Sequence, residues 1–171
     1  PILQKAIIKD SSGVGFIKPC KVIADSFTVT GEEIIDICET IGKFGVYDLI
    51  VIDMNFESTE NIVLPFLKSK LTVLVNDGSA NSNRKTRDLL SALPLICGLR
   101  QDEVTGKTAL LYNRFVAGKS NIYEDAEMIK LGGIVYVDAE DETHLISEIA
   151  KQGAMEKLFT EIFDSKSEGS I

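Results

Sequence analysis

At 171 residues, with 44% hydrophobic and 26% charged residues, the chain has the length and composition of an ordinary globular domain with a substantial core. A formal net charge of −8 disfavours nonspecific binding to nucleic acid or to an anionic membrane surface. No apolar run approaches the roughly 20 residues that span a bilayer, and the first residues do not read as a signal peptide.

Residues 2–9 suit either a helix or a strand, the helix being favoured. Val14–Ile17 reads as a short strand stopped by Pro19. A helix is predicted from about Gly31 to Ile41, with Thr30 as N-cap, Glu33 at the capping-box position, and Ile34, Ile37, Cys38 and Ile41 on one face. Leu49–Asp53 reads as a strand buried on both faces. Residues 59–67 suit a short helix limited by Pro65.

Leu71–Val75 is predicted as the next strand, followed by a helix capped by Asn81 or Ser82 and running to about Leu93. Asp102–Lys107 reads as a polar turn, and Thr108–Tyr112 as a strand ending at Asn113 and Arg114. A helix over 124–131 leads into a last strand, Ile134–Val137, which ends at Asp138. Two helices close the chain, near 141–151 and 153–164, before a polar tail over 165–171. Strands alternating with helices predict a single α/β domain over 1–164, with a mainly parallel twisted sheet flanked by helices.

Cys20, Cys38 and Cys97 are widely spaced and odd in number, the pattern of reduced thiols in a cytoplasmic protein. His144 is the only histidine, so a zinc site or a Ser-His or Cys-His mechanism has little support. It is expected at the surface or at a helix cap.

Asp53 ends an apolar strand where open α/β sheets bind ligands. Two readings remain: a Walker B carboxylate serving a nucleotide's magnesium, or an ordinary core strand with a solvated Asp. A P-loop would need G-x-x-x-x-G-K-[ST] opening a helix. At Gly106-Lys107-Thr108 the leading glycine is replaced by Gln101, and a strand follows.

Together, Tyr47–Asp53, the unit from Leu71 through Ser82 and Arg84, Leu111-Tyr112-Asn113-Arg114, and Gly133–Asp138 resemble the carboxyl-terminal portion of the ParA/MinD-type ATPases with a deviant P-loop. Thr30-Gly31-Glu32-Glu33 and the strand over 13–18 look most like TadZ/CpaE pilus-assembly proteins. The resemblance implies a partial P-loop NTPase sheet, ATP and magnesium as cofactors of the complete protein, and a homodimer that positions a pilus or secretion assembly at the cell pole. It implies that Asp53 holds magnesium through water and that Asn113 recognises adenine. Arg114 covers the base or pairs with an acidic neighbour, and Asp138 contacts nucleotide or caps the helix beginning near Glu142. Asn113 equally suits a loop residue bonding its own backbone.

The P-loop strand of such a sheet lies beside the Walker B strand, so its absence predicts an exposed apolar edge. The chain is therefore expected to be part of a longer protein or an obligate oligomer, with ATPase activity only where a P-loop precedes Pro1. The alternative is an interaction module without nucleotide. In the last helix, Met155, Leu158, Phe159, Ile162 and Phe163 form an apolar stripe. The opposite face mixes Glu156, Lys157, Glu161 and Asp164, which favours packing on the sheet or a second subunit over a lipid surface.

Overall fold

The computed structural model describes residues 2–17, 29–55, 60–124, 127–138 and 141–163. The chain folds as two compact units, Pro1–Lys68 and Ser69–Ile171.

In the first unit, α1 (Ile2–Ala6) runs directly into β1 (Ile7–Lys9), which pairs antiparallel with β2 (Gly15–Ile17). The expected single element over 2–9 is thus half helix and half strand. Asp10 shapes the turn by accepting from the Ser12 and Val14 amides, both at 2.9 Å, and from the Ser12 hydroxyl at 2.7 Å. These bonds, led by the Ser12 hydroxyl, hold the Asp10 carboxyl below its ordinary value. Pro19, the expected stop after β2, lies outside the described residues.

Helix α2 (Gly31–Gly42) begins as its sequence predicts. The Thr30 hydroxyl accepts from the Glu33 amide at 3.2 Å, and the Glu33 carboxylate accepts from the Thr30 amide at 2.8 Å. A 3₁₀ turn (Glu60–Ile62) and α3 (Val63–Lys68) pack against α2. Where they meet, a Cβ on Gly31 would sit 2.8 Å from the Asn61 carbonyl oxygen, so only glycine allows this approach.

The expected strand over Leu49–Asp53 is not formed. No described strand pairs with it, and its residues alternate instead of burying both faces. Ile50 and Ile52 are half-buried, while Leu49, Asp53 and especially Val51, 78% exposed, face outward. The apolar run signals an extended backbone, but a strand also needs a ladder partner. Among the described residues of this unit, β1 and β2 pair only with each other.

The second unit is α/β. Its parallel sheet has the order β3 (Thr72–Asn76), β4 (Thr108–Phe115), β5 (Ile129–Val135). Thr108 to Tyr112 of the central strand are all buried, as a strand covered on both faces requires. On one face, α4 (Ala80–Cys97) packs on β3, with Thr86, Leu90 and Leu93 buried. On the other, Ala109, Leu111, Leu131, Ile134 and Ala154 form a core closed by Ile149, Met155 and Leu158. These last come from α6 (Glu142–Ala150) and α7 (Ala154–Phe163). The stripe on α7 therefore packs on the sheet at its start, while Phe159 stays 54% exposed and stacks on Phe163.

Four local expectations are corrected in this unit. Asp102–Lys107 is not a turn, because α5 (Gln101–Gly106) forms there. Glu103 accepts from the Arg100 amide at 2.7 Å, Asp102 and Glu103 favour the positive end of the helix, and Val104 is fully buried. Helix α4 is capped by Ser79, not Asn81 or Ser82, and passes Pro94 to end at Gly98 in the left-handed region. Where the expected helix over 124–131 would end, a strand forms instead: β5 starts at Ile129, while 125 and 126 lie outside the described residues. The β4–β5 register jumps from Leu110↔Lys130 to Leu111↔Gly132, so Leu131 is an inserted bulge residue, 1% exposed in the core. Gly132, at φ 98°, provides the backbone for it. Finally, α6 is capped by Asp141, which accepts from the His144 amide at 2.8 Å, and not by Asp138. The His144 side chain is exposed, 3.8 Å from Glu148.

Candidate functional site at the strand ends

Strand β3 leaves the sheet through Asn76, only 2% exposed. Its amide donates to Asn83 Oδ1 at 3.0 Å and Thr86 Oγ1 at 2.9 Å, while its own oxygen accepts from the Gly78 amide at 2.6 Å. Gly78, at φ 76°, turns the chain, and the Ser79 hydroxyl accepts from the Ser82 amide at 3.1 Å to start α4. Asp77 accepts from the Ser79 amide at 2.9 Å, and that bond holds its carboxyl below the ordinary value.

Strand β4 leaves differently. Asn113 is exposed, and Arg114 beside it lies at φ 57°, an uncommon conformation for a side chain that large. The register shift between Asn113 and Phe115 accounts for it: Arg114 is the unpaired residue of a bulge, and pairing resumes at Phe115↔Val135. The following loop folds back over the β3 exit. Asn121 N donates to Gly78 O at 2.7 Å, Ser120 Oγ to Asp77 O at 2.7 Å, and Asn83 Nδ2 to Asn121 O at 2.9 Å. Between this loop and α4 lies a cavity of about 430 Å³, lined by Asn83, Arg87, Ile122, Tyr123 and Glu124.

The sequence-predicted residues fall in both units. Asp53 belongs to the first, exposed in the unpaired extended segment. Asn113 and Arg114 are neighbours at the carboxyl end of the central strand, and Asp138 is exposed beyond β5 in the same unit. Arg114 forms no ion pair among the described residues. The polar network of Asn76, Asn83 and Asn121 was not anticipated from sequence. Its signal was an asparagine closing an apolar strand just ahead of Asp77-Gly78-Ser79.

Asn113 fits the edge of an adenine, having one donor and one acceptor and no side-chain hydrogen bond to a described residue. The fit to phosphate is poor. Gly106 ends α5, and Lys107 and Thr108 lead into β4, with the Lys107 carbonyl accepting from the Thr72 amide at 2.9 Å. That is the opposite order to a loop opening a helix. Asp53 has no cluster of metal-ligating side chains around it among the described residues, so magnesium there would depend on phosphate and water for its other ligands.

No protein-family model matches the chain, and no curated protein matches its sequence. No helix among the described residues is long and apolar enough to cross a membrane.

Proposed function

We propose that this chain is the later, base-recognising part of a ParA/MinD-like ATP-binding protein of the TadZ/CpaE kind. The complete protein would act in the cytoplasm as a homodimer that positions a pilus or secretion assembly at the cell pole. One observation carries this reading: Asn113 stands exposed at the carboxyl end of the central strand of a parallel sheet, where α/β folds bind ligands. Asn113 reads the adenine edge, Arg114, held in the bulge next in sequence, covers the base, and Asp138, beyond the end of β5, contacts the nucleotide. Asp53 serves magnesium through water, and a P-loop upstream supplies the phosphate cradle.

The test is calorimetric titration of the full-length gene product with Mg-ATP and Mg-GTP. The reading expects ATP to be preferred, and Asn113→Ala to weaken ATP by about 10-fold, the value of one lost base contact, with little effect on GTP. Absence of saturable nucleotide binding, or indifference to Asn113→Ala, refutes it.

The unpaired Leu49–Asp53 segment supports a second reading, an interaction module that has kept the sheet and lost the nucleotide. A full-length product without a P-loop and without nucleotide binding, yet folded, selects it.

A further inference from the structure

The two border strands of the parallel sheet are finished differently. Along β5 a bulge at Leu131 breaks the ladder, Lys130 is exposed, α7 packs against the strand, and Gln152 Oε1 accepts from the Val135 amide at 2.6 Å. Bulges, charges and coverage are what keep a free edge from pairing. Strand β3 has none of these on its own residues. Thr72-Val73-Leu74-Val75-Asn76 carries no charge, no proline and no register shift, in a chain of net charge −8.

Its backbone shows which groups are free. The Thr72 amide donates to the Lys107 carbonyl at 2.9 Å, on the β4 side. Alternate residues of a strand turn their backbone groups to opposite sides, so Thr72, Leu74 and Asn76 serve β4, and Val73 and Val75 turn theirs outward. No described strand pairs with β3 on that side, and no backbone hydrogen bond among the described residues reaches Val73 or Val75 from it. The Val75 side chain is 62% exposed.

This edge matches itself. Antiparallel to a second copy, about a two-fold axis at Leu74, Val73 of each copy faces Val75 of the other. Each such pair exchanges both of its backbone bonds, and within the strand this is the register that satisfies both residues. Val75 gains a β-branched cross-strand neighbour. The Asp77 carbonyl is already taken by Ser120 Oγ at 2.7 Å, so pairing stops at the strand end. The same axis sets Leu71 level with Asp77 of the other copy, and therefore Lys70 beside it. Lys70 and Asp77 are both exposed, and neither forms a salt bridge among the described residues.

From the bare edge, its self-matching register and the Lys70–Asp77 complementarity, we infer that β3 is the seam of a two-fold dimer of this chain, joining two sheets into one. The seam deepens the proposed homodimer and rests on that part of the reading alone. It needs neither nucleotide nor Asn113, so its failure and a failure to bind ATP are separate results.

The experiment is sedimentation velocity on the whole chain without nucleotide, paired with amide exchange at Val73 and Val75. At about 50 micromolar the chain should sediment with the mass of two copies, and the two amides should exchange more slowly as concentration rises. Val75→Pro removes an outward N–H and no bond to β4, and Val75→Lys places a charge on the edge. Each should weaken the dimer by about 10-fold or more, whereas Val75→Thr should leave it intact. Lys70→Glu and Asp77→Lys should each weaken it by about 10-fold. An equimolar mixture of those two variants should associate about as well as the parent, because each supplies the charge the other lacks. Circular dichroism checks that every variant folds. The inference is overturned by a monomer at about 100 micromolar, by a dimer indifferent to both Val75→Pro and Val75→Lys, or by a mixture no tighter than either variant alone. Protection of Val73 and Val75 that does not change with concentration also overturns it, assigning the edge to another segment of the same polypeptide.

Discussion

The Asn76 amide donates to the Thr86 hydroxyl at 2.9 Å, joining the last residue of β3 to the second turn of α4 beneath the surface. Both residues are buried, at 2% and 8% exposure. The bond therefore does more than close a polar pair. With the Asn83 and Gly78 contacts, it fixes where α4 starts and how far the following loop stands from the sheet.

Replacing Asn76 with Leu keeps the volume but orphans the Gly78 amide and the Thr86 hydroxyl. An unmatched buried polar group costs about 1–3 kcal/mol, so urea denaturation should show a loss of about 2–4 kcal/mol. The double variant Asn76→Leu/Thr86→Val should recover part of that loss, since both partners then become apolar. A double variant as unstable as the sum of the two single changes contradicts the coupling.

Gly78 and Gly98 both have positive φ, 76° and 66°, yet they should respond differently to alanine. At Gly98 a Cβ meets open space, so only the left-handed backbone is penalised, by about 1 kcal/mol. At Gly78 the added Cβ sits 2.7 Å from the Ser120 Cβ and 3.1 Å from the Phe115 ring. Gly78→Ala should therefore cost about 2–4 kcal/mol and release the 116–124 loop, seen as faster amide exchange at Asn121. Equal losses at the two glycines would show that the loop yields without strain.

The elements that were legible from sequence are those whose signals are local. Thr30 and Glu33 announce α2 because the capping box lies within four residues, and Thr108–Tyr112 announces β4 because burial on both faces demands an unbroken apolar run. Leu49–Asp53 carried the same kind of run, but pairing is a property of its neighbours, not of its own residues. At 124–131, Met128 and Leu131 stand three apart, as on a helical face, whereas the bulge that buries Leu131 depends on the register against β4. Asn113 was legible as a strand-end polar residue. The network around Asn76 was not, because Asn83 and Asn121 are brought to it only by α4 and the folded-back loop.

Asp77 connects this region to pH. Its carboxyl is held below the ordinary value of a free Asp, first by the Ser79 amide. A depressed folded-state value means that the charged form is favoured in the native chain. Its contribution to stability is complete above the unfolded value, near 3.9, and is lost as pH falls through the lower folded value. Asp77→Asn should flatten the fall of the urea midpoint below about pH 4 while leaving its slope above about pH 5 unchanged. An identical acid limb in both proteins would place the depressed carboxyl elsewhere.

The capping box of α2 gives the last expectation, one confined to the first unit. Thr30 and Glu33 satisfy each other's backbone amides, at 3.2 and 2.8 Å, and their side chains also meet at 3.1 Å. Thr30→Ala removes the acceptor for the Glu33 amide and should cost about 1 kcal/mol, whereas Thr30→Ser keeps the oxygen and should cost only a few tenths. Glu33→Gln retains an acceptor for the Thr30 amide but removes the charge that complements the helix N-terminus, a loss of about 0.5 kcal/mol that fades in high salt. The discriminating measurement is chemical denaturation followed at residues of α2 in low and high salt. A Thr30→Ala loss that is screened by salt, or a Glu33→Gln loss that is not, would reverse the division of labour between hydroxyl and carboxylate.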